Sequence, residues 1–108
     1  MFNLFKKDYN VLSMAKAQEN MQNESNIKVI DVRTPEEYRS GHIPQAINVP
    51  LDRVDKIKSH VKDLDAPIYV YCMSGARSSA AANYFAKLGY TNVTNIGGIG
   101  SYRGKLKN

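Results

Sequence analysis

The chain has 108 residues, 43% hydrophobic and 23% charged, with 15 basic against 10 acidic side chains for a formal net charge of +5. That composition describes one ordinary globular domain, large enough to close a single core, and no apolar run reaches membrane-spanning length. The one cysteine excludes an internal disulfide, and a free thiol persists best in a reducing compartment, so the expectation is a cytoplasmic protein.

Met1-Phe-Asn-Leu-Phe-Lys-Lys7 is followed by neither the apolar core nor the cleavage site of an export signal. Residues 1–8 are expected to form a flexible arm ahead of one domain over residues 9–108. Tyr9–Leu12 reads as a first strand, and Ser13 caps a helix running to about Asn23. Ile27–Val32 is a stronger strand, rich in β-branched residues. In the following Thr34-Pro-Glu-Glu37, Thr34 caps, Pro35 takes the first helical position and Glu37 completes a capping box, with Gly41 as the stop. Ala46–Val49 reads as the third strand. Asp52 is expected to cap the next helix, in which Val54, Ile57 and Val61 recur at helical spacing.

Pro67 ends that helix and opens the strand Ile68–Tyr71. After a polar loop, Ala81, Tyr84, Phe85 and Leu88 trace the apolar side of the clearest helix, and Gly89 stops it. Asn92–Ile96 is a fifth strand, leading to Gly97-Gly98 and a basic tail. Strands alternating with helices indicate an α/β fold, a parallel sheet covered on both faces. Lys and Arg are scattered without a densely basic window, so the charge reads as a solvated surface that helps small anions approach, and no nucleic-acid partner is expected.

The chemistry concentrates in Cys72-Met-Ser-Gly-Ala-Arg77, between a buried strand and a helix expected to begin at Ser78 and Ser79. Inward-turned backbone N–H groups, the positive end of the helix dipole and the Arg77 charge would each lower the thiol pKa, giving a nucleophilic thiolate at neutral pH. Gly75 permits close backbone approach to an anion. Alone, a single cysteine is more often a small buried hydrophobe. The Gly, Arg and double-Ser setting at a strand-to-helix junction turns the reading toward catalysis.

Asp31-Val-Arg-Thr-Pro-Glu-Glu-Tyr-Arg-Ser-Gly-His-Ile-Pro-Gln-Ala-Ile-Asn-Val-Pro50, then Tyr71-Cys-Met-Ser-Gly-Ala-Arg-Ser78 and Gly97-Gly98, closely resemble the single-domain rhodanese (thiosulfate sulfurtransferase) family over roughly residues 9 to 104. The resemblance implies a five-stranded parallel sheet with helices on both faces, and a persulfide-carrying Cys72. It also implies a substrate cradle formed by Met73, Ser74, Gly75, Ala76, Arg77 and Ser78, with Asp31 and Arg33 supporting the loop. Glu37, Gly41, His42 and Ile43 match the family's structural signature. His42 lacks partner ligands, and neither it nor His60 has a visible catalytic role. Two residues depart from the family pattern: Gln45, where Gly is common, and Tyr102, where a tryptophan usually follows the double glycine and where the pocket rim would be altered.

The function expected is transfer of a sulfane sulfur from a small anionic donor such as thiosulfate, or from a persulfide, to cyanide, a thiol or a protein acceptor. No cofactor, metal or membrane partner is implied. A Cys-dependent phosphatase or arsenate reductase is a weaker reading, because only four residues separate Cys72 from Arg77 and no further cysteines exist for a relay. A non-catalytic binding or regulatory module is the other alternative, since fold does not dictate function.

Overall fold

The computed structural model describes residues 8–108; the expected arm, apart from Asp8, lies outside the described residues. Five strands form one parallel sheet in the order β1-β5-β4-β2-β3. They are β1 Asn10–Val11, β2 Lys28–Asp31, β3 Ile47–Asn48, β4 Ile68–Cys72 and β5 Val93–Gly98. Between them run α1 Met14–Asn23, α2 Pro35–Ser40, α3 Ile57–His60 and α4 Ala76–Lys87, with 3-10 turns at Leu51–Lys56 and Ile99–Ser101.

Side chains alternate across the strands and divide the core into two layers. Ile30, Val32, Ile68, Val70 and Cys72 face Ile57 of α3 and Ala81, Ala82 and Phe85 of α4. Val29, Tyr69, Tyr71 and Ile96 face Met14 and Ala17 of α1, with Tyr38 of α2 at the margin. Helices therefore cover both faces, and β4, central in the sheet, is buried along its whole length.

Local sequence explains most element boundaries. Ser13 accepts from Lys16 N–H at 3.1 Å and starts α1. Thr34 and Glu37 form the reciprocal capping box of α2, with Pro35 at its start and Gly41 at its end. Asp52 does not cap a helix: the turn begins at Leu51 after Pro50, without a side-chain cap, and breaks at Arg53 (φ −128°, ψ 24°) before α3 continues it. Proline at the preceding position fixes the entry, which leaves Asp52 in the first turn. On α4 the apolar stripe is carried by Ala81, Ala82 and Phe85, while Tyr84 is exposed.

The basic tail is tied down. Lys107 pairs antiparallel with His42, whose N–H donates to Lys107 O at 2.8 Å while Lys107 N–H donates to His42 O at 2.9 Å. The His42 ring stacks on Tyr38 at 3.7 Å, and its Nδ1–H donates to the Tyr38 carbonyl at 2.9 Å. These contacts give His42 a packing role. Gln45 and Tyr102 meet on the α1 side of the sheet, where with Gln18, Met21 and Gln22 they line a cavity of about 130 Å³. Tyr102 packs with the Met14–Tyr71 layer, opposite the layer that holds Cys72.

At the end of β2, Asp31 and Arg33 are 0% and 2% exposed. Arg33 Nη2 donates to Asp31 Oδ2 at 2.8 Å and to the Gly41 carbonyl at 2.7 Å, while its Nε reaches both Asp31 oxygens at 3.1 Å. Burial favours the neutral guanidine, but the bonds and charge of Asp31, aided by Tyr71, more than reverse that and hold Arg33 protonated. The pair thus staples the end of α2 to β2. Removing one member leaves the other charge buried and unpaired, so Arg33→Ala is expected to cost about 3–5 kcal/mol in urea unfolding. Lys16→Ala, which breaks an exposed pair with Glu19, is expected to cost less than about 1 kcal/mol.

Candidate active site

Cys72 is the last residue of β4, fully buried and paired in register with Gly98. The chain turns sharply after it, with Gly75 at φ +101°, a conformation that costs a residue with a Cβ but not glycine. This turn carries the Gly75 N–H to within 2.9 Å of the sulfur, to which it donates. It also starts α4 at Ala76, two residues earlier than expected, because Gly75 itself occupies the cap position. The positive end of a 12-residue helix therefore begins inside the loop.

Two further features fix the loop against β5. The β4–β5 register shifts after Val70, so that Asn95 pairs with Val70 but Gly97 and Gly98 pair with Tyr71 and Cys72. Asn95, on that bulge, accepts from Gly97 N–H at 3.0 Å and from Ser78 Oγ at 2.7 Å through the same Oδ1. Its Nδ2 donates to Gly75 O at 3.5 Å. Above the bulge, a Cβ on Gly98 would lie 2.5 Å from the Met73 carbonyl oxygen, so only glycine lets the loop close down.

The thiol pKa is set by competing effects. Burial is the largest and pushes the thiol up; hydrogen bonds from the Ser78 hydroxyl and from the Ser78, Gly75 and Ser74 N–H groups outweigh it and bring the net shift below the ordinary value. In the protonated state the thiol donates to Ser78 Oγ at 3.5 Å; when the sulfur ionises, the hydroxyl rotor turns its single proton from Asn95 Oδ1 to the sulfur. Of the residues around the turn, Met73, Ser74 and Ala76 are exposed, Gly75 and Arg77 are half-buried and Ser78 is buried.

Arg77 interacts with the Cys72 charge and is also ion-paired. Its Nη1 and Nη2 donate to Glu37 Oε1 and Oε2 at 2.8 and 3.1 Å, a fork-to-carboxylate pair between α4 and α2. Glu37 raises the guanidinium pKa, with smaller contributions from the nearby Cys72 and Asp31 charges. In return Arg77, and after it the Thr34 N–H, hold the Glu37 carboxyl at about 2 against an ordinary 4.5. A cavity of about 470 Å³ opens beside the pair, lined by Val32, Thr34, Pro35, Glu36, Pro50, Leu51, Asp52 and Arg77. Among the described residues there is no cluster of three or more His, Cys, Asp or Glu suited to a metal ion, and no helix long and apolar enough to cross a membrane.

The profile of the Rhodanese-like domain family matches residues 13–105. The chain belongs to the rhodanese-like domain family. It is 42% identical over 71 residues to the thiosulfate sulfurtransferase PspE of Escherichia coli, covering 65% of this chain and 68% of that protein. It is 40% identical over 81 residues to the Bacillus subtilis protein YqhL, covering 74% and 64%, so it spans about two thirds of the length of either relative. Among solved structures, an E. coli rhodanese described as holding anions superposes with a TM-score of 0.72 at 36% identity, over 76% of this chain and 98% of that one.

The sequence alone does not show the part that Asn95 and Glu37 play at the site. Asn95 lies in an unremarkable strand segment, and its only signal is a polar residue two places before a double glycine. Glu37 was read as a capping residue, which it is, but spacing along one helix could not show that Arg77 would share its carboxylate.

If hydrogen bonds hold the thiolate, the rate of Cys72 alkylation by iodoacetamide will titrate below the ordinary thiol range, and Ser78→Ala will move that midpoint upward. Because the folded-state pKa of Glu37 is depressed, its pairing stabilises the fold fully above pH 4.5 and loses that effect as pH falls toward about 2. The difference in unfolding temperature between wild type and Glu37→Gln should shrink over that interval.

Proposed function

We propose that the protein is a sulfurtransferase that carries a sulfane sulfur as a persulfide on Cys72. The observation that supports this most is the 2.9 Å hydrogen bond from Gly75 N–H to the only thiol of the chain, with the Ser78 hydroxyl 3.5 Å from the same sulfur. The Cys72 thiolate attacks the outer sulfur of thiosulfate; the S–S bond of the donor breaks, sulfite leaves with the bonding pair, and Cys72 retains the sulfur as a persulfide anion. Cyanide or an acceptor thiolate then attacks that outer sulfur, forming thiocyanate or a new persulfide and returning the Cys72 thiolate. Each step is a two-electron displacement that needs no redox cofactor.

In this reading the backbone of residues 73–78 cradles the negative charge that moves between donor and persulfide. Asp31 and Arg33 act at a distance, by fixing the α2 end against β2. Because Cys72 is fully buried, donor sulfur reaches it only with a small displacement of loop atoms. A phosphatase is disfavoured by the Arg77–Glu37 fork, which occupies the guanidinium face that a phosphate would need. A reducing cytoplasm, which keeps the thiol free, is the compartment that suits this chemistry.

Initial rates with varied thiosulfate and cyanide should give the parallel double-reciprocal lines of a ping-pong enzyme, and Cys72→Ser should be inactive. Full activity in Cys72→Ser would overturn the assignment, and a thiol that no donor discharges onto would favour a binding module.

A further inference from the structure

The sulfur site has a charge pattern that bears on which donor it accepts. It holds two arginines, and both are taken. Arg33 is locked to Asp31 in a buried pair, and Arg77 is held in a fork by Glu37 with their side chains 33% and 27% exposed. No other Lys or Arg occurs between Cys72 and Lys87. The cavity beside Arg77 also carries Asp52 and Glu36 on its lining, the latter highly exposed and paired with Arg39 at 3.7 Å. A dianion at the loop therefore meets backbone dipoles and an arginine that is already paired.

From this we infer that Glu37 is a specificity-determining residue: by engaging both Arg77 nitrogens it withholds that cation from the donor, and selects low-charge alkyl persulfides over multiply charged anions such as thiosulfate. The inference rests on the sulfurtransferase reading. With an alkyl persulfide, RSSH, the Cys72 thiolate takes the outer sulfur with its proton, the S–S bond of the donor breaks, and RS⁻ leaves with the electron pair. No charge beyond one unit has to be accommodated at any point. Glu37 suits this role because its position is fixed independently of Arg77, by the 2.8 Å bond it accepts from Thr34 N–H. It behaves as a rigid carboxylate supplied by α2, and does not follow the guanidinium.

The test is Glu37→Gln. Its amide oxygen can still accept from Thr34 N–H, so the α2 cap is kept while the carboxylate charge is removed. Thiosulfate binding is measured by calorimetry in a Cys72→Ser background, where no sulfur can transfer. Glu37→Gln is expected to lower the thiosulfate Kd by about three- to tenfold, an effect that diminishes at high salt. In the Cys72 protein the same change should lower KM for thiosulfate and leave KM for an alkyl persulfide unchanged. Glu36→Gln removes an equal charge from the same rim without freeing Arg77, and should give a smaller gain.

An unchanged or weaker thiosulfate Kd in Glu37→Gln, with the unfolding temperature close to wild type, overturns the inference. So does an equal gain in Glu36→Gln, which would assign the effect to the general field. If Glu37→Gln lowers the unfolding temperature markedly, the double variant Glu37→Gln/Arg77→Gln decides: if the freed guanidinium supplies the gain, thiosulfate Kd should return to within about twofold of the Glu37 protein, and a gain retained without Arg77 refutes the proposal. Failure of both donors to add sulfur to Cys72 would instead count against the sulfurtransferase reading, because the binding measurement does not depend on transfer.

Discussion

The hydrogen bond from Gly75 N–H to Cys72 Sγ, at 2.9 Å, is the contact on which the site depends. It exists because the chain reverses within three residues of leaving a buried central strand, and the reversal needs a left-handed Gly75 at its apex. The same turn brings the first residues of α4 up to the sulfur, so Ser78 can contribute both its N–H and its hydroxyl. Burying a thiolate is costly unless its charge is met by donors. Here the donors are mainly backbone groups, fixed by the fold before any substrate arrives, and they outweigh the burial that opposes ionisation.

That turn is held by β5 as much as by α4. The bulge after Val70 sets Gly98 against the Met73 carbonyl, and Asn95 at the bulge ties Gly97, Ser78 and Gly75 together through one amide. A second line of support comes from the other side, where the Asp31–Arg33 pair anchors the end of α2 through the Gly41 carbonyl. A fixed α2 presents Glu37 to Arg77. The buried pair and the half-exposed pair therefore form a sequence of dependence, in which the first sets the frame and the second sets how much positive charge the loop can offer.

Much of this was legible in the sequence because it is local. The capping box at Thr34–Glu37, the Ser13 cap, the alternating strands and the cysteine at a strand end each follow from residues a few places apart, and each is present in the structure. Asp52 is not a cap because Pro50 takes that position two residues earlier, and α4 starts earlier than its sequence suggests because a glycine cap carries no side-chain signal. What the sequence could not show is the product of topology. Glu37 and Arg77 are 40 residues apart, and Gln45 and Tyr102, the two departures from the family pattern, line one cavity on the face away from Cys72. Only the sheet order brings such residues together.

The central claim, a sulfur atom resting on Cys72 between two half-reactions, is tested most directly by intact mass. The protein is incubated with a sulfane donor in the absence of acceptor, separated from it, and weighed before and after addition of cyanide. A gain of one sulfur atom is expected, located on Cys72 by peptide mapping, lost again with cyanide and absent in Cys72→Ser. An unchanged mass with both thiosulfate and an alkyl persulfide, in protein whose Cys72 remains fully open to alkylation, would contradict it.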